Sequence, residues 1–141
     1  MDYREAYEKA LQLLNVRFLS EGELKTKLRR RGVDDDVLED VVAALEGEHF
    51  LDDQRLARDV YRYYARKGQY GHLYIVNRLR RRCLPVPEDV ERPDEYALAG
   101  ELVKRKFSYR ADEARKAARF LQYRGFSPSV IRDVLEDFTV H

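Results

Sequence analysis

An internal repeat constrains the fold of this chain more than any other feature of its sequence. Residues 28–45 recur without a gap at 121–138, which lie 93 residues further along the chain. The matched pairs are Leu28 and Leu121, Arg31 and Arg124, Gly32 and Gly125, Val37 and Val130, Leu38 and Ile131, Asp40 and Asp133, Val41 and Val134, Val42 and Leu135, and Leu45 and Phe138. Each copy has the pattern of a helix, a glycine turn and a second helix. Such a unit cannot bury its apolar face alone, so neighbouring units must stack to complete the core.

The segment between the two copies is also predicted to be helical, because helical spacing of apolar residues recurs through it and no part of it shows the sustained alternation typical of a strand. A weaker middle copy follows the first by 51 residues, and it matches Ile75, Leu79, Arg82 and Leu84 to Leu24, Leu28, Arg31 and Val33. Pro85, Pro87 and Pro93 leave room only for a short third helix near residues 88–92. We therefore predict an all-α fold, an elongated array of three tandem three-helix repeats in which the middle repeat has a shortened third helix. The predicted repeats are residues 1–51, 52–92 and 93–141.

Local signals place several helix ends. Ser20 and Glu23 have the spacing of a capping box, and Gly32 is typical of a helix C-terminus. The pair Asp52-Asp53 is expected to begin the fourth helix, and Pro93 is expected to open the long helix that follows the middle repeat.

The composition excludes several classes of protein. The 27 basic and 26 acidic side chains leave a formal charge of +1, and the longest apolar run, Val41 to Leu45, has five residues. This run is far shorter than the ~20 residues that span a bilayer. The N-terminus lacks the pattern of a secretory signal, and Cys83, the one cysteine, excludes an intramolecular disulfide. We expect a cytoplasmic protein, most simply a monomer, that does not contact a membrane.

The near-zero net charge hides alternating blocks of charge. Residues 34–53 hold nine acidic and no Lys or Arg side chains, whereas residues 55–82 hold nine basic side chains against Asp59 alone. Residues 83–101 are again acidic, at −5, and residues 102–126 are basic, at +6. In a helix-turn-helix DNA reader the last helix enters the major groove and is basic. The third helices here are acidic, which disfavours reading of the groove by those helices.

The basic residues of the middle repeat are the candidate binding surface for a protein partner or DNA. Leu56, Ala57, Val60 and Tyr64 are predicted to share a buried face, which turns the arginines of that helix outward. The candidate residues are Arg55, Arg58, Arg62, Arg66, Lys67, Arg78, Arg81 and Arg82. Between them lie Tyr61, Tyr63, Tyr70 and Tyr74, rings that can stack on nucleic-acid bases. The alternative is that the arginines pair with the acidic third helices and that the tyrosines belong to the core.

No pattern of residues indicates an enzyme. The three histidines have no ligand spacing with Cys83 or with one another, and Asp34-Asp35-Asp36 lacks the glycine and distal glutamate of a calcium loop. Gly68 and Gly71 do not form a phosphate-binding loop. We therefore predict no catalytic residues, no metal and no cofactor.

The order and spacing of these motifs resemble those of the RecX family of RecA regulators. The matching segments are Ala10-Leu11-x-x-Leu14, Arg17-x-x-Ser20-x-x-Glu23-Leu24, Leu28-x-x-x-Gly32, Phe50-Leu51-Asp52-Asp53-x-x-x-Ala57, Gly71-x-x-x-Ile75-x-x-x-Leu79 and Phe120-Leu121-x-x-Arg124-Gly125-Phe126. Cys83 departs from the family, because it stands where the middle repeat usually has glycine. The resemblance implies a protein that lies in the groove of a RecA–DNA filament, inhibits recombinase and ATPase activity, and opposes filament extension. It places the chain in DNA recombination, DNA repair and the SOS response. Two alternatives are a nucleic-acid-binding protein that acts alone, on single- or double-stranded DNA, and a purely structural adaptor.

Overall fold

The computed structural model describes the backbone of residues 1–107 and 111–140 and the side chains of residues 1–107 and 112–137. Every regular element in this part of the chain is a helix, which confirms the predicted all-α fold of tandem helical repeats. The helices are α1 (Tyr3–Val16), α2 (Glu21–Arg30), α3 (Asp35–Gly47), α4 (Asp53–Arg66), α5 (His72–Arg81), α6 (Glu95–Phe107), α7 (Ala114–Tyr123) and α8 (Pro128–Val140). A 3₁₀ turn, Ala111–Glu113, leads into α7. The predicted equivalence of the Phe138 side chain with Leu45 lies outside the described residues.

The described helices form two compact units, each with its own core. Unit 1 comprises residues 1–59 and 79–87, and unit 2 comprises residues 60–78 and the described residues from 88 onward. The largest buried aliphatic side chains of α2 and α3 are Leu24, Leu28, Leu38, Val41 and Leu45. Those of unit 2 include Val103, Leu121, Phe126 and Val134. The repeat therefore places equivalent residues, such as Leu28 and Leu121, in the two cores.

The predicted helix starts are close to the observed ones. Ser20 and Glu23 form a complete capping box, in which the Glu23 amide donates to Ser20 Oγ over 3.0 Å. Asp52 accepts a hydrogen bond from the Arg55 amide at the start of α4. Helix α6 begins at Glu95 rather than at Pro93, because Asp94 provides the cap by accepting from the Ala97 amide.

The second helix of every repeat ends in the same turn. The Val33 amide donates to the Leu28 carbonyl, and the Phe126 amide donates to the Leu121 carbonyl. The intervening glycines, Gly32 and Gly125, have left-handed φ angles of 84° and 83°. In the middle repeat the Leu84 amide donates to the Leu79 carbonyl in the same way, and Cys83 takes the glycine position with a φ of 57°.

The middle repeat lacks the predicted short third helix. The chain from residue 82 to residue 94 contains turns, bends and irregular backbone but no helix. Pro85, Pro87 and Pro93 have no amide hydrogen to donate, and the segment between Pro87 and Pro93 is too short to nucleate a helix. The third helix of the middle repeat is therefore absent, not merely shortened.

In unit 2 the start of α5 contacts the turn between α7 and α8 through backbone atoms. The Gly71 amide donates to the Arg124 carbonyl over 2.7 Å, and the Leu73 amide donates to the Gly125 carbonyl over 3.1 Å. A Cβ atom on Gly71 would lie 2.4 Å from the Gly125 oxygen, so only glycine allows this approach. Amides at the start of α5 and carbonyls at the end of α7 have no partners within their own helices, and these hydrogen bonds supply the partners.

None of the described helices is both long enough and apolar enough to cross a membrane.

Candidate partner-binding surface

Helix α4 presents basic side chains because its buried face is apolar. Val60 and Tyr61 are buried, whereas Arg62 and Arg66, one turn apart, are exposed. Lys67 follows directly after the helix and is also exposed. The helical geometry therefore places these three cations in contact with solvent within unit 2.

Three tyrosines of unit 2 form a compact aromatic cluster. The rings of Tyr70 and Tyr74 stack with centroids 3.9 Å apart and planes that differ by 5°. Tyr64 of α4 packs edge-on against both rings, with centroids 6.0 Å and 5.9 Å away. The edge-on contacts of Tyr64 are of a kind that aromatic rings prefer.

Cations lie on the aromatic cluster. The Arg78 guanidinium donates to Tyr74 Oη from Nη2 over 2.8 Å and from Nε over 3.1 Å. Burial raises the pKa of Tyr74, but the hydrogen bonds that it receives, from Arg78 first, bring this pKa below its usual value. The Lys67 ammonium lies 4.7 Å from the centroid of the Tyr63 ring, and its hydrogen bond with Tyr63 raises the pKa of Lys67. Lys67 is therefore a cation at neutral pH.

Arg124 belongs to the same cluster and was not among the candidates. Its guanidinium carbon lies 5.7 Å from the centroid of Tyr70 and 4.8 Å from that of Phe120. Lys106 contacts Phe120 from 4.5 Å. Both cations lie in the basic block 102–126, and that block is the sequence signal that could have identified them.

We call this group of side chains the cationic–aromatic patch of unit 2. Its members are Arg62, Tyr63, Tyr64, Arg66, Lys67, Tyr70, Tyr74, Arg78 and Arg124. The tyrosine rings contact Lys67, Arg78 and Arg124, cations of the same unit, and such contacts hold a cation over the face of a ring. Tyr61 is fully buried and belongs to the core, as the alternative interpretation had it.

The candidate arginines of unit 1 differ from one another in their surroundings. Arg55 and Arg81 are exposed, and Arg58 is half-buried. Arg82 is only 23% exposed: its Nη2 atom lies 3.1 Å from Glu23 Oε1 and donates to the Phe18 carbonyl over 2.7 Å. Arg82 therefore stabilises unit 1, and we exclude it from the candidate surface.

Acidic side chains of α3 pair with bases of α2, within their own repeat. Glu39 lies 3.1 Å from Lys25, and Asp35 lies 3.1 Å from Arg29. The Arg29–Asp35 pair is largely exposed, so it contributes little to stability, whereas the Lys25 side chain of the other pair is only 20% exposed. Arg82 thus binds a carboxylate inside the protein, but this carboxylate belongs to α2 and not to an acidic third helix as the alternative had it. The α3 carboxylates Asp35 and Glu39 bind bases of α2, which are not among the candidate residues.

The histidine of α5 has a structural environment. His72 Nδ1 and Tyr61 Oη lie 2.8 Å apart, and the His72 amide donates to Glu95 Oε1 over 3.3 Å. Burial lowers the pKa of His72, and the Arg92 cation lowers it further. Among the described residues, no three His, Cys, Asp or Glu side chains form a group that could hold a metal ion.

Two parts of the chain match profiles of one protein family. Residues 6–45 match the first three-helix domain of RecX, and residues 93–135 match its third three-helix domain. The Regulatory protein RecX of Pelodictyon phaeoclathratiforme is 32% identical over 134 residues, which cover 89% of this chain and 84% of the relative. The chain belongs to the RecX family. Its RecX relatives are named as regulatory proteins.

RecX proteins differ from one another in length. The RecX of Vibrio cholerae strain O395 is 33% identical over 96% of this chain and 94% of its own length. The RecX of Geobacillus thermodenitrificans is 31% identical over 98% of this chain but only 55% of its own length. The chain thus spans about half the length of some of the RecX relatives that it matches.

Crystal structures support the RecX fold. RecX from Lactobacillus salivarius superposes with a TM-score of 0.80 and 20% identity, over 99% of this chain and 98% of the other. A second RecX structure gives a TM-score of 0.75 and 21% identity, over 95% of this chain and 73% of the other. At these identities the superpositions support the fold alone.

Proposed function

We propose that this chain regulates RecA by binding in the helical groove of the RecA–DNA filament. Bound there, it inhibits the recombinase and ATPase activities of RecA and opposes extension of the filament. The chain acts by binding, without catalysis of its own. Membership of the RecX family, whose members are named as regulatory proteins, is the observation that carries this proposal.

The cationic–aromatic patch supports a role in binding a negatively charged surface. Arg62, Arg66 and Lys67 are exposed, and Lys67 and Arg78 are positioned by contacts with tyrosine rings. Cations that are held in place lose less side-chain entropy when they bind, and a local positive field steers an anionic partner. Acidic blocks such as residues 34–53 are suited to basic surfaces of the same filament.

The test reverses two exposed charges of the patch. We expect Arg62→Glu combined with Arg66→Glu to abolish inhibition of the DNA-dependent ATPase activity of RecA, because four units of charge change where the filament binds. Helix content and melting temperature should stay near those of the wild type, since both side chains are exposed. Arg78 is left unchanged because its guanidinium binds Tyr74.

A matched control uses Arg115→Glu combined with Arg119→Glu on α7. These arginines are also exposed and one turn apart in unit 2, so the net charge changes equally. The control variant should inhibit RecA within about twofold of the wild type. Full inhibition by the Arg62/Arg66 variant would contradict the assignment of the patch.

A salt titration distinguishes this proposal from a nucleic-acid-binding protein that acts alone. Arg62, Arg66 and Lys67 are the exposed cations that favour this second candidate. Such a protein would bind bare single- or double-stranded DNA tightly, with an affinity that falls steeply as salt rises. Under our proposal, binding to bare DNA is weak and binding to the filament is tight.

A further inference from the structure

Unit 1 carries an apolar surface centred on two exposed aromatic side chains. Phe18 is 76% exposed and Phe50 is 50% exposed. They border two adjoining depressions of about 490 and 150 Å³ that also share His49. The larger is completed by Leu11, Gln12, Leu14 and Asn15, and the smaller by Leu19, Asp52, Arg55, Leu56 and Asp59. We call this area the Phe18–Phe50 surface.

The backbone holds both phenylalanines outward. The Phe18 carbonyl accepts the hydrogen bond from Arg82, and the next residue, Leu19, is buried. The Phe50 amide donates to the Leu45 carbonyl, and the next residue, Leu51, is buried. Because each neighbour occupies the core, the phenylalanine is directed to solvent. The exposure of these rings is therefore built into the fold of unit 1.

The distribution of charge on the Phe18–Phe50 surface identifies the kind of molecule that fits it. The seven residues of the larger depression include no Lys, Arg, Asp or Glu, although 38% of the chain is charged. Aromatic enrichment with depletion of charge is typical of the buried centre of a protein–protein interface. At its edge, Asp52 and Asp59 outnumber Arg55. A nucleic acid would find no cation in the larger depression and two carboxylates beside it.

We propose that the Phe18–Phe50 surface binds the protein subunit of the filament rather than its DNA. The fitting segment carries a bulky aliphatic or aromatic side chain that packs between Phe18 and Phe50. It also carries a lysine or arginine that reaches Asp52 or Asp59. This inference rests on the proposed function, because it takes that protein to be RecA. It assigns different contacts to the two units: unit 2 binds the filament through charge, and unit 1 binds it through apolar contact.

The experiment compares two pairs of aromatic residues in the full chain. Phe18→Ala combined with Phe50→Ala should weaken binding to RecA filaments on a single-stranded oligonucleotide about tenfold or more, because two anchors are removed. Binding of the same variant to the bare oligonucleotide should be unchanged. The matched control is Tyr96→Ala combined with Tyr123→Ala, which removes rings that are 47% and 83% exposed in unit 2. The control should bind filaments within about twofold of the wild type.

Two further variants keep the test decisive if the alanine variant folds poorly. Phe18→Leu combined with Phe50→Leu keeps an apolar surface and should retain affinity within about threefold. Asp59→Lys reverses one charge at the edge and should weaken filament binding several-fold.

The outcomes separate this inference from the proposed function. Failure of the wild-type chain to bind filaments would contradict the proposed function itself. Wild-type affinity of the Phe18/Phe50 variant, alongside lost binding of the Arg62/Arg66 variant, would overturn the inference and leave the proposed function intact. A loss of affinity for the bare oligonucleotide would overturn it too, because the surface would then contact DNA.

Discussion

The glycine turns of the first and third repeats have the same local structure but different neighbours. Gly32 and Gly125 have almost equal φ angles and the same hydrogen bond across the turn. A Cβ atom on Gly32 would meet nothing within 4 Å, whereas one on Gly125 would lie 2.2 Å from the amide nitrogen of Tyr74. The repeated sequence thus specifies the turn, and the packing inside each unit decides how much its glycine matters.

The starts of α2 and α5 make a second comparison. The Glu21 amide donates to Asp53 Oδ1 over 2.9 Å in unit 1, and the His72 amide donates to Glu95 Oε1 in unit 2. Asp53 and Glu95 are each the first residue of the first helix of the next repeat. Each carboxylate thus accepts a hydrogen bond from an amide at a helix N-terminus of the preceding repeat, where amides lack partners within their own helix.

The largest expected effect is the difference in the free energy of unfolding between the Gly125→Ala and Gly32→Ala variants. Both changes put a side chain at a left-handed φ, which costs about 1 kcal/mol. Gly125→Ala also drives a Cβ atom into the backbone of α5, so we expect a loss above about 3 kcal/mol in the free energy of unfolding. Urea denaturation of the two variants measures the difference. Equal losses would show that Tyr74 does not constrain this turn.

A smaller effect is expected where the middle repeat replaces glycine by Cys83. A Cβ atom on Gly22 would lie 2.6 Å from Cys83 Cβ, so Gly22→Ala should destabilise the wild type by about 1–3 kcal/mol. In a Cys83→Gly background the overlap is gone, and alanine should stabilise α2 by about 0.5–1 kcal/mol. A double-mutant cycle in urea measures this coupling. Additive changes in free energy would contradict the contact.

The smallest effect concerns pH and the start of α5. His72 has a lowered pKa, so the unfolded chain binds a proton more readily than the folded one. Stability should therefore fall as the pH drops below about 6.5, the usual value for histidine. Tyr61, Arg92 and Glu95 are the groups that interact with His72. Burial raises the pKa of Asp53 in unit 1, so at that residue the folded chain binds a proton more readily than the unfolded one. Asp53 therefore opposes the loss of stability at lower pH.

The control for this effect is His72→Gln, which removes the titrating ring. The urea midpoint of the wild type should drop more between pH 7.0 and pH 5.5 than that of the variant. If both midpoints drop equally, another group controls the response.

Sequence reasoning was most successful where the signal is local. The capping box of Ser20, the cap at Asp52 and the glycine turns depend on residues within a few positions of one another, and each is confirmed. It was wrong about the short third helix of the middle repeat, because the five residues between Pro87 and Pro93 are too few to nucleate a helix. It also missed Arg124, whose contact with the Tyr70 ring joins residues more than 50 positions apart.

The amino-acid sequence alone determined where the observed helices lie, several of their caps, the family and the repeated cores, because these depend on spacing along the chain. Only the tertiary structure decided which cations bind carboxylates within a unit and which are exposed to solvent. Arg82 and Arg62 cannot be distinguished by residue type, yet one binds Glu23 and the other is exposed. The physical reason is that burial and pairing of charge depend on distances between atoms that are remote in sequence, and those distances exist only once the chain has folded.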